Sequence, residues 1–335
     1  MKTKHISYIL ALGISLLLLS CENVIEFSGE ATKPLLVVNS FITPDSLIKV
    51  HVSKSRFFLQ ADSIRYQTVN NATVNVWVNG TKIEKLSSIG QGYYLSSFKP
   101  QLGDIIKITA GNAEFTEVSC YTEVISPNPI LAADTTNHIF NEEYMIQYSS
   151  TNNGPYIPDT IGVLKTESFQ VKIKFNDPAA TSNYYMLDLK TISYFDNDSI
   201  SITNTWLNSD DMVFGSNNNT GPFETGTYSY NHEFSDELIN GKEYNLKFTF
   251  RSQNYTYNEE HKNTWNKEQK APVKQELLIE LKSISESYFK YLRSLSASTS
   301  TIEFFSEPVQ IYSNVNGGIG ILGSYSRSVY KINLK

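Results

Sequence analysis

The residues able to do chemistry are scattered through this chain, and one string among them has a familiar spacing. Gly318-Ile-Gly-Ile-Leu-Gly323 is a G-x-G-x-x-G, which can bring backbone close to a dinucleotide pyrophosphate. That use requires a helix opening behind the glycines and an acid about 20 residues on for the ribose. Only 12 residues follow Gly323; they alternate like a strand and include no acid. The spacing therefore predicts a tight turn at Asn316-Gly317-Gly318, then β structure with small residues where chains approach closely.

Metal and acid-base chemistry find no better footing. His51, His138, His232 and His261 stand singly, with no H-E-x-x-H. Asp196-Asn-Asp198 offers oxygen ligands at alternate positions, as calcium prefers, but lacks the glycine and closing glutamate of an EF-hand. Glu224, Glu233, Asp210 and Asp211 could supply a glycosidase pair if two of them faced each other across about 5 to 10 Å. There is no G-x-S-x-G elbow. No catalytic residue, metal site or cofactor is assigned, and a surface hydrolase ranks third among the functional readings. The 21 tyrosines and 18 phenylalanines include dense patches at Tyr228, Tyr230, Tyr255 and Tyr257. Exposed tyrosines suit recognition of a small-molecule, peptide or glycan ligand, although tyrosine is also simply a good strand residue.

The elements that must position these groups begin behind a leader. Lys2 and Lys4 precede an apolar run from Ile6 to Leu19 that is short for a span of about 20 residues. It ends at Leu18-Leu19-Ser20-Cys21, the form of a bacterial lipobox, so residues 1–20 read as a lipoprotein signal peptide and 21–32 as a lipidated tether. Acyl chains on Cys21 contribute roughly 0.8 kcal/mol per buried methylene, which anchors the chain without spanning the membrane. Glu22, with no aspartate directly behind Cys21, favours the outer membrane and its outer face. Cys120 is the only other cysteine, and alternation places it in a strand as a core thiol, which excludes a disulfide framework. Loss of the leader takes the formal charge from −6 to −8, which disfavours nucleic acid.

Period-two patterning dominates the rest. Leu36-Val38, Ile48-Val50-Val52, Val74-Val76-Val78 and Ile106-Ile108, with turns at Asn79-Gly80 and Gly90-Gln-Gly92, predict a sandwich of about seven strands over 33–125, immunoglobulin-like or transthyretin-like. Residues 126–160 read as a connecting segment with some order of its own. Residues 161–335 read as a second mainly β, sandwich-like domain, with Asn240-Gly241 as a further hairpin signal. One helix is expected near 284–295, opened by a Ser283/Glu286 capping box and presenting Ile284, Tyr288, Tyr291, Leu292 and Leu295 as one stripe.

Several stretches in order carry a resemblance. Leu35 to Asp45, Val50-His-Val-Ser-Lys-Ser55, Gly92-Tyr-Tyr94, Phe175-Asn-Asp-Pro178, Asn183-Tyr-Tyr185, Asn240-Gly-Lys-Glu-Tyr244 and Phe305 to Gly323 together resemble a Bacteroidetes outer-membrane lipoprotein family, domain of unknown function 4249. The resemblance implies an outer-membrane lipoprotein that assists a TonB-dependent receptor in nutrient uptake, and it supplies no catalytic residues. An envelope structural or adhesion module is the alternative.

Overall fold

The structure is a computed structural model that describes residues 33–56, 67–150, 156–214, 232–257, 272–299 and 310–334. The chain divides into two compact units, and the larger, Leu35–Ser55 with Asp62–Lys335, holds everything that follows. Cys21, expected to be lipidated, and the tyrosines Tyr228 and Tyr230 lie outside the described residues.

Alternating apolar residues produce strands in nearly every segment. The first group is β1 (Leu36–Ile42), β2 (Lys49–Lys54), β3 (Gln67–Thr68), β4 (Thr73–Val78), β5 (Thr81–Lys85), β6 (Ser87–Gly90), β7 (Tyr93–Leu95), β8 (Ile105–Gly111) and β9 (Val118–Glu123). Next come β10 (Ile130–Ser150), β11 (Tyr156–Asn176), β12 (Tyr184–Tyr194), β13 (Ile200–Asn204), β14 (Leu207–Asn208), β15 (Glu233–Ser235), β16 (Glu243–Tyr257) and β17 (Lys274–Ile284). Helix α1 (Glu286–Thr299) and β18 (Ile319–Asn333) follow. Among the described residues no helix is long and apolar enough to cross a membrane.

One large sheet runs β13-β12-β17-β18-β1-β2-β7-β6, with β15 added to β12 and β3 to β2. Two four-stranded sheets, β5-β4-β8-β9 and β10-β11-β16-β14, complete the fold. The first packs with β1, β2 and β7 around Val38, Val50, Val76, Ile108 and Cys120. The second packs with β12 and β17 around Val171, Ile173, Leu187, Phe248 and Ile279. Both cores lie against one face of β18, since Leu322 enters the first while Tyr330 and Ile332 pack on the second, all at even positions. Among the described residues the chain adopts the expected mainly β, sandwich-like class with one packed α-helix. Asn79 and Gly80 take positive φ (50° and 82°) between β4 and β5, as their types require in a tight hairpin.

β18 is the joint between the two halves. It pairs parallel with β1, Val38 opposite Gly320 and Ile42 opposite Ser324, and antiparallel with β17, Leu281 opposite Ser328. The glycines of the G-x-G-x-x-G string serve this pairing, as the sequence suggests. Gly320 has φ +120°, and a Cβ there would sit 2.1 Å from the Val38 carbonyl oxygen. A Cβ on Gly323 would come within 2.8 Å of Tyr288 Cβ on α1.

Two expectations shift. The helix begins later than the capping-box spacing suggests, because Ser283 and Ile284 remain in β17, opposite Tyr185 and Tyr184. Ser285 is the cap; its Oγ accepts from Tyr288 N at 3.3 Å. The α1 residues Tyr288, Phe289, Tyr291 and Leu292 cover Met186 and Ile284 on the face of β12 and β17 opposite the second core. Asn240-Gly241 makes no hairpin: it ends a turn before β16, and β16 pairs with β11 and β14.

Replacing Gly320 with alanine should lower unfolding stability by roughly 3 kcal/mol, combining a disfavoured φ with collision against β1. Gly103→Ala shares the positive φ (+83°) but meets no atom within 4 Å, and should cost only about 1 kcal/mol. Urea denaturation midpoints of the two variants measure the difference.

Candidate functional site

Between the two cores the chain crosses from β9 to β10 through Glu123-Val-Ile-Ser-Pro-Asn-Pro129. Two prolines hold this crossing extended and rule out helix. It lies along the even-numbered serines of β18: Ser324 Oγ donates to the Glu123 carbonyl, Ser326 Oγ to the Ile125 carbonyl at 2.6 Å, and Ile130 N donates to Ser328 Oγ at 2.8 Å.

Beside the crossing opens a cleft of about 590 Å³, walled by Pro127, Asn183, Tyr184, Ser283 and the first residues of α1. Its floor is a buried polar relay. Asn128 N donates to Ser283 Oγ at 3.0 Å, and Asn128 Nδ2 donates to Tyr185 Oη at 2.9 Å. Tyr185 in turn donates to Asp177 Oδ1 at 2.5 Å, while Gly241 N donates to Asp177 Oδ2 at 3.0 Å. Burial raises the Asp177 pKa above the ordinary carboxylate value, with Asp236 adding to the effect; the hydrogen bonds from Tyr185 and Gly241 oppose it. Burial, then donation to Asp177, raises Tyr185. Asn183 is locked by Asp236, whose Oδ2 accepts from its backbone N at 2.7 Å.

Much of the cleft's polar lining is thus committed before any ligand arrives. Among the described residues no histidine, lysine or arginine lines it; of its two carboxylates, Glu286 is paired with Lys290 at 2.8 Å and Glu123 is exposed. Tyr184 presents a ring at the wall, backed by Phe289 with centroids 4.8 Å apart. Such a surface can accept hydroxyl or amide groups and stack on a planar or sugar face.

The residues singled out by sequence fall elsewhere. Asp210 and Asp211 follow β14 and line a separate open cleft of about 410 Å³ with Lys247 and Thr249. Asp211 is already occupied, accepting from Tyr244 Oη at 2.5 Å and from Lys247 N at 3.1 Å. Glu233 is buried on β15 against α1, so the described carboxylates converge on no shared point of attack; Glu224 lies outside the described residues. Asp196-Asn-Asp198 forms the exposed turn between β12 and β13, with Asp198 at φ +60° and Asn197 Oδ1 accepting from Ser199. Among the described residues no cluster of three metal-ligating side chains occurs. Tyr255 and Tyr257 stand on β16 opposite Leu164 and Gly162 of β11. Cys120 is a buried thiol on β9, its pKa pushed up to about 12 by burial.

Composition alone does not mark Asp177, Tyr185, Asn183 and Gly241. The signal was in the motifs: Phe175-Asn-Asp-Pro178, Asn183-Tyr-Tyr185 and Asn240-Gly-Lys-Glu-Tyr244 converge here, and Asp177 N donates to the Lys242 carbonyl at 2.9 Å. The model of a family described as a domain of unknown function (DUF4249) matches residues 22–331. No curated protein matches the chain.

Glu233 yields a prediction of its own. Burial pushes its pKa up to about 7, with the Arg293 charge opposing, and its Oε2 has no partner among the described residues. Because the folded pKa is raised, the folded state holds the proton that the unfolded chain releases near its ordinary value. Stability should therefore fall as pH rises from about 4.5 through 7, by up to about 3 kcal/mol. Glu233→Gln should match the wild type at pH 4.5 and exceed it at pH 8.5, read from denaturation midpoints across that range.

Proposed function

The chain belongs to the domain of unknown function 4249 family, and on that footing we propose that it is a lipid-anchored outer-membrane binding protein. It holds a small-molecule, peptide or glycan ligand in the cleft beside Tyr184 and works as an accessory to a TonB-dependent receptor. The observation that carries the binding role is the cleft itself, a concave site of about 590 Å³ whose polar floor is fixed by the Asn128–Tyr185–Asp177 relay. A prepaid floor reduces the ordering cost of capture. The anchoring role is supported by Leu18-Leu19-Ser20-Cys21 behind a charged, apolar leader.

Ser182 is an exposed residue lining the cleft, so Ser182→Trp should fill the space without touching a core. Binding across a panel of glycans, peptides and small metabolites should weaken at least 10-fold at an unchanged unfolding midpoint; a ligand held equally by both proteins would move the site elsewhere. Cys21→Ser should release the protein from the membrane fraction on cell fractionation. Pull-down of the native protein in mild detergent should recover a TonB-dependent receptor. Clean recovery of the lipoprotein alone would count against the accessory role and favour an adhesion or structural one.

A further inference from the structure

β10 and β11 form a hairpin of two 21-residue strands that runs well beyond the second core. The core residues of β11 are Phe169, Val171, Ile173 and Phe175, yet its ladder with β10 continues from there to Tyr156, opposite Ser150. Along this extension β10 is the outermost strand, and no strand pairs with its outer side among the described residues. Unpaired edges of this length are usually blunted by lysine, proline or a covering element. β10 contains no lysine, arginine or proline, and it exposes Ile139, Phe140 (51%), Tyr144 (76%) and Ile146. Register shifts at Thr135/Asn137 and Met145/Ile146 bound an uninterrupted stretch from Asn137 to Met145.

We propose that this stretch is a self-complementary docking strand through which two copies of the chain pair antiparallel about a two-fold axis centred on Phe140. The charge pattern argues for a second copy as the occupant and favours this register. Directly opposed residues in an antiparallel pair share a face, and like charges placed opposite each other destabilise it. Centring on Glu142 or Glu143 would set a carboxylate against its own copy, while centring on Asn141 would set Phe140 against Glu142 and Ile139 against Glu143. Centring on Phe140 opposes Phe140 to Phe140, His138 to Glu142, Asn137 to Glu143 and Ile139 to Asn141.

Charges already present on β11 extend that pattern. Lys165 Nζ lies 3.7 Å from Glu142, and His138 Nε2 lies 3.4 Å from Glu167 while its ring stacks on Phe169 at 4.4 Å. Across the joint the row on one face becomes Lys165, Glu142, then His138 and Glu167 of the second copy, with a nitrogen-bearing side chain beside each carboxylate. An isologous pairing of this kind closes on itself and uses up both open edges, so it ends at two copies and does not grow into a fibre.

Disulfide trapping of the full-length protein in its native membrane tests the register. Residues at the two-fold centre lie about 4.5–5.5 Å apart between Cα atoms, within disulfide reach. Under mild oxidation Phe140→Cys should migrate as a covalent pair of identical chains. Glu143→Cys, whose copies would stand about 20 Å apart along the strands, should not, and neither should the wild type, whose Cys120 is buried. Phe140→Lys, which opposes two ammonium groups, should reduce the paired population at least 10-fold in sedimentation equilibrium of the detergent-solubilised protein. The proposal is overturned if Phe140→Cys with a wild-type unfolding midpoint gives no cross-link, if it is captured instead by a different protein, or if Glu143→Cys cross-links equally.

Discussion

The structure depends on a backbone crossing whose carbonyl groups have been given partners. Between β9 and β10 the chain must leave one sandwich and enter another, and over that distance it belongs to no strand ladder among the described residues. Ser324 and Ser326 donate to the Glu123 and Ile125 carbonyls and Ser328 accepts from Ile130 N, because side chains on one face of a strand recur every two residues, as do the outward groups of an extended chain lying alongside. Ser324 and Ser326 are almost fully buried, so an apolar residue at either would leave a carbonyl orphaned, at a cost of about 1–3 kcal/mol each. The same strand receives β1 on one side and β17 on the other, which makes it the seam of the whole sheet.

Charged groups on the reverse face strengthen the seam. Arg327 reaches Asp45 in the turn after β1 at 2.9 Å and Glu280 on β17 at 3.0 Å, and Glu280, buried, is shared with Lys190 of β12 at 3.2 Å. An unshared carboxylate at that depth would be costly; divided between two cations it is balanced. β18 thus places hydroxyls toward the crossing and a guanidinium toward β17 and the turn after β1, with glycine where β1 and α1 approach closely.

Much of this was legible from alternation. The strands around Val38, Val50, Val76 and Ile108, the Asn79-Gly80 turn and the core position of Cys120 follow from period-two patterning and local turn chemistry. The parallel pairing of β18 with β1 was not, because its partners are separated by some 282 residues and periodicity carries no information about which strands meet. The helix start moved from Ser283 to Ser285 for a related reason: the pairing of Ile284 with Tyr184 outcompeted a local cap. At the cleft the situation is reversed. Asp177, Asn183 and Tyr185 carry no chemical signature as isolated residues, and only their coming together around one buried carboxylate gives them meaning.

That the seam follows in sequence every strand it joins has a consequence for the order in which pairings can form. Until Ile319–Asn333 is available, β1 and β17 both present open edges, the crossing segment lacks its hydroxyl partners, and neither half of the large sheet is closed. Pairings of such long sequence separation form slowly, since the loop-closure entropy precedes the reward. The union of the two halves therefore rests on one fifteen-residue strand that comes after all its partners in sequence, so the pairings that join them span some of the longest separations in the described fold.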